Sequence, residues 1–196
     1  MTLTTQWRQV IPAYQSLTIA FDPLDYQPEL VCRQIENILR SPITPSEKKG
    51  KLVKIPVCYH EYLAPDLADL AKYCRLTVGQ VVHLHSQPDY LVNMLGFLPG
   101  FLYLSGLDKR LHCRRKATPA LKVEAGTIGI GGSQTGIYPV VSPGGWQVIG
   151  RTPLPIFSPD CPNPFIAEPL DNIRFIPIER DRFEQLAREH HRHAHS

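Results

Sequence analysis

The side chains with the clearest chemical potential sit in one glycine-dense stretch. From Gly129 to Gly136 the chain reads Gly-Ile-Gly-Gly-Ser-Gln-Thr-Gly. Successive backbone N–H groups in such a loop can converge on an anion or an amide, while Ser133, Gln134 and Thr135 add side-chain donors and acceptors. That combination suits a phosphate, a carboxylate or a lactam; a β-turn with a bulge would account for the same glycines. Arg151 ends a nearby strand-like run, and its planar fork could hold a carboxylate or phosphate at two points, although a lone arginine on a barrel rim commonly serves as a solvated ion-pair partner. His85 closes a helical segment, where a histidine can move protons or, if cationic, complement the helix end. The basic run Lys109, Arg110, His112, Arg114, Arg115 and Lys116 could draw in a nucleotide or an acidic surface, and reads more simply as a solvated loop.

Other chemistries are excluded by their missing partners. No glycine opens a Walker A pattern, Ala64 stands where a zincin's second histidine would follow His60-Glu61, and Ser133 lacks the frame of a nucleophile elbow. Cys32, Cys58, Cys74, Cys113 and Cys161 are odd in number and scattered, which fits reduced thiols in the cytoplasm better than a disulfide framework or a metal site. His190, His191, His193 and His195 read as an exposed tail, so no metal centre is expected.

The elements that must position these residues are short. Two strands, over 7–13 and 15–21, precede a helix over Pro28–Arg40 with apolar spacing at Leu30, Val31, Ile35, Ile38 and Leu39. After a Pro- and Lys-rich connection come a strand over 52–59, helices over 65–73 and 77–85, then a series of short strands and turns ending with 172–178. Thr77 and Gln80 have capping-box spacing. Eleven of the thirteen glycines lie between Gly96 and Arg151, and many of the nineteen prolines follow residue 98, so long helices are not expected there. The pattern is α+β: a small α/β piece over 1–45, a linker over 46–51, a closed or nearly closed β-barrel over 52–178, and a terminal helix and histidine-rich tail over 179–196. A net charge of +3 with no basic stripe argues against nucleic acid, and no apolar run is long enough for a membrane-spanning helix.

Four motifs carry a family resemblance. Gly96-Phe97-Leu98-Pro99-Gly100-Phe101, Gly131-Gly132-Ser133-Gln134-Thr135-Gly136-Ile137-Tyr138-Pro139, Ser142-Pro143-Gly144-Gly145-Trp146 and Ile149-Gly150-Arg151-Thr152-Pro153-Leu154 resemble, in order, the signature of the family of 5-oxoprolinase B subunits. That family is also called allophanate hydrolase subunit 1 or the carboxyltransferase C/D domain, and includes an inhibitor of a sporulation histidine kinase. The resemblance implies a cyclophilin-like barrel and a component, inactive alone, of an ATP-dependent 5-oxoprolinase that opens 5-oxo-L-proline to L-glutamate together with its A and C subunits. ATP would be bound in the complex, and this chain would carry no biotin. The resemblance also implies catalytic roles for His85 and Arg151 and substrate contacts from Gly131, Gly132, Gln134, Thr135, Tyr138, Gly144 and Gly145. A regulatory protein acting on a histidine kinase, or a urea- or allophanate-type subunit, are the alternatives it leaves open.

The chain also departs from the family pattern. The resemblance leads one to expect a first strand and helix before Val10, where this sequence holds only nine residues, and His60-Glu61-Tyr62-Leu63-Ala64 stands in place of an expected glycine-rich segment. Leu170 stands at a position usually held by glycine.

Overall fold

The computed structural model describes residues 7–42 and 50–193, and the chain divides into two compact units, 1–49 and 50–196. Most of residues 46–51, expected to be a linker, and the tail histidines beyond His193 lie outside the described residues.

In the first unit, β1 (Gln9–Pro12) pairs antiparallel with β2 (Leu17–Ala20), Gln9 facing Ala20 and Pro12 facing Leu17. The Ala13 N–H to Ser16 carbonyl bond, 2.8 Å, closes the turn between them. Helix α1 (Pro28–Arg40) begins with Pro28 in its first turn, where a missing N–H costs nothing. Of this helix only Val31 is buried, while Leu30, Ile38 and Leu39 remain exposed. Two strands and one helix bury little apolar surface.

The second unit contains, in chain order, β3 (Leu52–Cys58), α2 (Leu67–Cys74), α3 (Val78–Ser86), β4 (Tyr90–Leu95), β5 (Leu102–Ser105), β6 (Ala120–Val123), β7 (Thr127–Gly131), β8 (Gln134–Ile137), β9 (Ser142–Gly144), β10 (Gln147–Arg151), β11 (Asn172–Ile178) and α4 (Arg180–His193). Seven strands close a barrel in the order β10-β3-β11-β4-β5-β8-β7, so no strand in it has an unpaired edge. β11 runs parallel to β3 over its whole length, Asn172 facing Leu52 and Ile178 facing Cys58. β6 and β9 form a separate two-stranded ribbon.

Alternation along the strands makes the interior. Ile55, Val57, Leu102, Leu104, Ile128, Ile130, Ile137, Ile149, Ile173 and Phe175 belong to one buried cluster, joined by Val81 of α3 and Leu67, Leu70 and Ala71 of α2. The expected capping box is formed: the Gln80 N–H donates to the Thr77 hydroxyl, and the Thr77 N–H donates to the Gln80 side chain. Helix α2 starts two residues later than its apolar spacing suggests and ends on Arg75, whose φ of 56° is left-handed. Leu170 also has a positive φ, 77°, a backbone region that favours glycine, the residue the resemblance leads one to expect there.

Candidate functional site

The glycines of β7 and β8 leave one stretch of the barrel wall bare on its outer face. Ile128, Ile130, Thr135 and Ile137 point inward, so Gly129, Gly131, Gln134 and Gly136 share the outer face. A Cβ on Gly131 would lie 2.7 Å from the Trp146 indole Cε2 and Nε1, one on Gly136 would lie 2.9 Å from its Cζ3, and one on Gly129 would lie 3.0 Å from its Cβ. The indole therefore lies flat against backbone, which only unsubstituted Cα atoms permit. Phe101, just before β5, and Tyr103 within it extend the same face, their rings 5.5 and 5.9 Å from Trp146 and edge-on to it. With Tyr138, Val123 and Val148 they form a second buried cluster outside the barrel.

A cavity of about 290 Å³ opens over this aromatic floor. Phe101, Tyr103, Tyr138 and Trp146 line it together with Gly144, Gly145, Arg115 and Lys116. Gly144 is obligatory because a Cβ would come within 2.8 Å of the Tyr138 ring. The basic segment is fastened at both ends: Gly132 donates to the Cys113 carbonyl at 2.7 Å and receives a bond back, while the Lys116 N–H donates to Gly145 at 2.7 Å. This placement sets the Arg115 guanidinium 5.5 Å from the Trp146 ring centroid. Arg115 forms no ion pair or hydrogen bond with any described residue. The Lys116 ammonium is instead committed to Asp66 at 2.6 Å. Burial raises the Tyr138 phenol above its usual pKa, opposed in part by a hydrogen bond from the Trp146 backbone, and burial also raises Tyr103. Both phenols therefore stay protonated near neutral pH and can donate.

The structure separates residues that the sequence grouped. Tyr138, Gly144 and Gly145 line the aromatic cavity, whereas Arg151 lines another of about 410 Å³ with Ala125, Gly126, Thr152 and residues of α4. The Gly129–Gly136 stretch is a β-hairpin in which Gly131 pairs with Gln134, and Gly132 turns the chain at φ 69°. Its N–H groups are largely spent on the strand ladder and on Cys113, so they form no open nest. Gln134 stands on the outer face, and its buried amide nitrogen has no hydrogen-bond partner among the described residues.

His85 and Thr135 meet inside the barrel. The Thr135 hydroxyl donates to the Gly129 carbonyl at 3.0 Å, leaving it to accept from His85 Nε2 at 2.9 Å. His85 Nδ1 then accepts from the Tyr59 hydroxyl at 2.8 Å. The imidazole is stacked 4.7 Å from Phe175, fully buried, and burial lowers its pKa to about 3. The charged histidine that a helix end could favour is thus replaced by a neutral one held in the core. Among the described residues no group of three His, Cys, Asp or Glu could hold a metal ion. The sequence reading took Arg115, with its basic run, more simply as part of a solvated loop, and gave Phe101, Tyr103 and Trp146 no site role; the signal that could have found them was the spacing of Gly129 and Gly131 on one strand face beside a large aromatic.

Comparison with known proteins fits this architecture. The family model for the carboxyltransferase domain, subdomain C and D, matches residues 2–167. The 5-oxoprolinase B subunit of Bacillus subtilis is 39% identical over 184 residues, covering 88% of this chain and 77% of that protein. Its namesake in Escherichia coli O157:H7 is 49% identical over 131 residues, 67% of this chain and 60% of that one. Among solved structures, a conserved uncharacterized protein of Pyrococcus horikoshii superposes with a TM-score of 0.67 at 41% identity, covering 92% of this chain and 83% of that one. The urea amidolyase of Kluyveromyces lactis shares the fold at a TM-score of 0.77 and 20% identity, over 95% of this chain and 13% of that one. This chain, with its barrel and its bare glycine wall, belongs to the carboxyltransferase subdomain C and D family that includes the 5-oxoprolinase B subunits.

Proposed function

We propose that this chain is the B subunit of an ATP-dependent 5-oxoprolinase, which converts 5-oxo-L-proline to L-glutamate in complex with the A and C subunits in the cytoplasm. The observation that carries this reading is the cavity over Trp146. Its substrate would be a flat five-membered lactam bearing one carboxylate, and the cavity offers a flat π surface beside one uncommitted guanidinium, Arg115. A carboxylate paired to Arg115 would bring the ring onto Trp146 and Tyr103, with the neutral Tyr138 phenol able to donate to the lactam oxygen.

The division of labour between subunits follows from what this chain lacks. The N–H of Gly132 already binds Cys113, so the glycine turn does not fit a triphosphate. ATP in this scheme is held by the partner subunits, and this chain binds and orients the lactam. The test is reconstitution with the A and C subunits and assay of 5-oxoproline-dependent ATP hydrolysis. Arg115→Gln should raise KM for 5-oxoproline at least about tenfold, as expected for losing a charge-assisted pair. A reconstituted complex whose ATP turnover ignores 5-oxoproline counts against the proposal.

A further inference from the structure

We infer that the cavity beside Arg151 is a second ligand site, selective for a small carboxylic acid with an apolar or planar body. It shares no lining residue with the aromatic cavity, and the inference is independent of the 5-oxoprolinase reading. The guanidinium is held before any ligand arrives. Arg151 is the last residue of β10, paired to Thr127 on one side and Cys58 on the other, and its Nε donates to the Ala125 carbonyl at 2.8 Å. One face of the fork is thereby fixed, and the terminal nitrogens remain for a ligand. Glu124 is the nearest carboxylate, 4.0 Å from one of them, but it lies 2.7 Å from the Lys122 ammonium and is engaged there.

The rest of the cavity supplies the apolar body's surroundings. Leu154, Pro155 and Ile156 form one side, and α4 brings Phe183, Ala187 and His190 at helical spacing to the other. Its volume of about 410 Å³ falls within the usual range for small-molecule sites. Charge decides between anions. Arg151 brings one fixed positive charge, already opposed in part by Glu124 at 4.0 Å, which leaves too little to hold a multiply charged anion, and among the described residues lining the cavity no glycine nest stands by to bind a polyphosphate. A monoanionic carboxylate is the better match.

The test uses 4-fluorobenzoate as the probe, followed by ¹⁹F NMR with the full chain. To silence the aromatic cavity, itself fitted to a flat carboxylate, binding is measured in the Arg115→Gln background; there, saturable binding with a Kd on the order of 1 mM is expected, weakened at least about tenfold by adding Arg151→Gln. The neutral 4-fluorobenzamide should bind at least about tenfold more weakly than the acid. Ala187→Trp, on a half-exposed helix position, should abolish binding by filling the cavity without touching the guanidinium; it decides the matter if Arg151→Gln does not fold. In that background, equal affinity after adding Arg151→Gln, retained binding after adding Ala187→Trp, or no saturation each overturns the proposal. Tighter binding of 4-fluorophenyl phosphate than of the benzoate would overturn the carboxylate assignment.

Discussion

Trp146 rests on peptide planes instead of side chains, and this makes neighbouring glycines unequal in cost. Gly131→Ala would push a methyl group into the indole, a form of overpacking that should cost about 1–3 kcal/mol and shift the near-ultraviolet circular dichroism of Trp146. At Gly132 a Cβ would meet no atom within 4 Å, and only the φ of 69° resists it. Gly132→Ala should therefore cost nearer 1 kcal/mol and leave the Trp146 signal unchanged; equal spectral effects would refute this account of the wall. The glycine positions were legible in the sequence. What filled the space they leave was not, because the indole arrives from residue 146 and its absence of side-chain neighbours looks, in one dimension, like room for a ligand. His85 shows a related limit: its helix end was readable, but the burial that neutralises it comes from strands far along the chain. The sign of its effect follows. The native pKa of about 3 lies below the unfolded value near 6.5, so the unfolded chain binds the extra proton and stability is lost as pH falls through that window. Between pH 6.5 and 5, largely above the carboxylate range, the loss should be about 1.6 kcal/mol, the linkage slope rising from half its full value at pH 6.5. His85→Gln should be less stable at pH 7 but show a flatter urea-midpoint profile across that interval; an unaltered slope would show that His85 is not the titrating group.

At the level of elements, local signals succeeded where a single segment holds all the partners. The capping box of α3 is complete within four residues, so Thr77 and Gln80 announced it, and Thr77→Ala should cost about 1 kcal/mol in urea unfolding. The limits of α1 and β11 were likewise readable from Pro28 and from the alternation Ile173, Phe175. The ribbon of β6 and β9 was not, since its three- and four-residue strands carry Pro143 and a register shift between Ala120 and Val123. Nothing in such pieces shows the period of two by which strands are recognised. Leu170 belongs between these cases. Its departure from a glycine position was visible, and the structure supplies the consequence, a left-handed leucine in the turn leading into β11. The side chain is about half exposed, at 48%, so little packing is lost on removing it. Leu170→Gly should relieve about 1 kcal/mol of steric strain, partly offset by the freer unfolded backbone, and raise the thermal midpoint. A lower midpoint would mean that Leu170 packs more tightly than its exposure implies.

For the whole molecule, the barrel's closure depends on strands from opposite ends of the second unit. β3 begins just after Gly50, and its parallel neighbour β11 ends at Ile178. The seam is tied at its start, where the Lys51 N–H donates to Asp171 at 2.9 Å and the Asn172 N–H donates to the Lys51 carbonyl at 2.8 Å. A fragment of residues 50–196 therefore contains every strand of the barrel, both buried clusters and both cavities. The first unit offers the opposite balance: of α1 only Val31 is buried, and Ile11, Leu17, Leu30 and Leu39 are exposed. The two tryptophans divide cleanly between the units, Trp7 in the first and Trp146 in the second, so fluorescence can follow the barrel alone. The fragment 50–196 should unfold in urea at the same midpoint as the full chain carrying Trp7→Phe, both read through Trp146. The isolated residues 1–49 should show little cooperative unfolding, because too few apolar groups are sequestered to offset the chain entropy. A clear drop in the fragment's midpoint would show that the first unit contributes to barrel stability, and would remove the premise that the two fold independently.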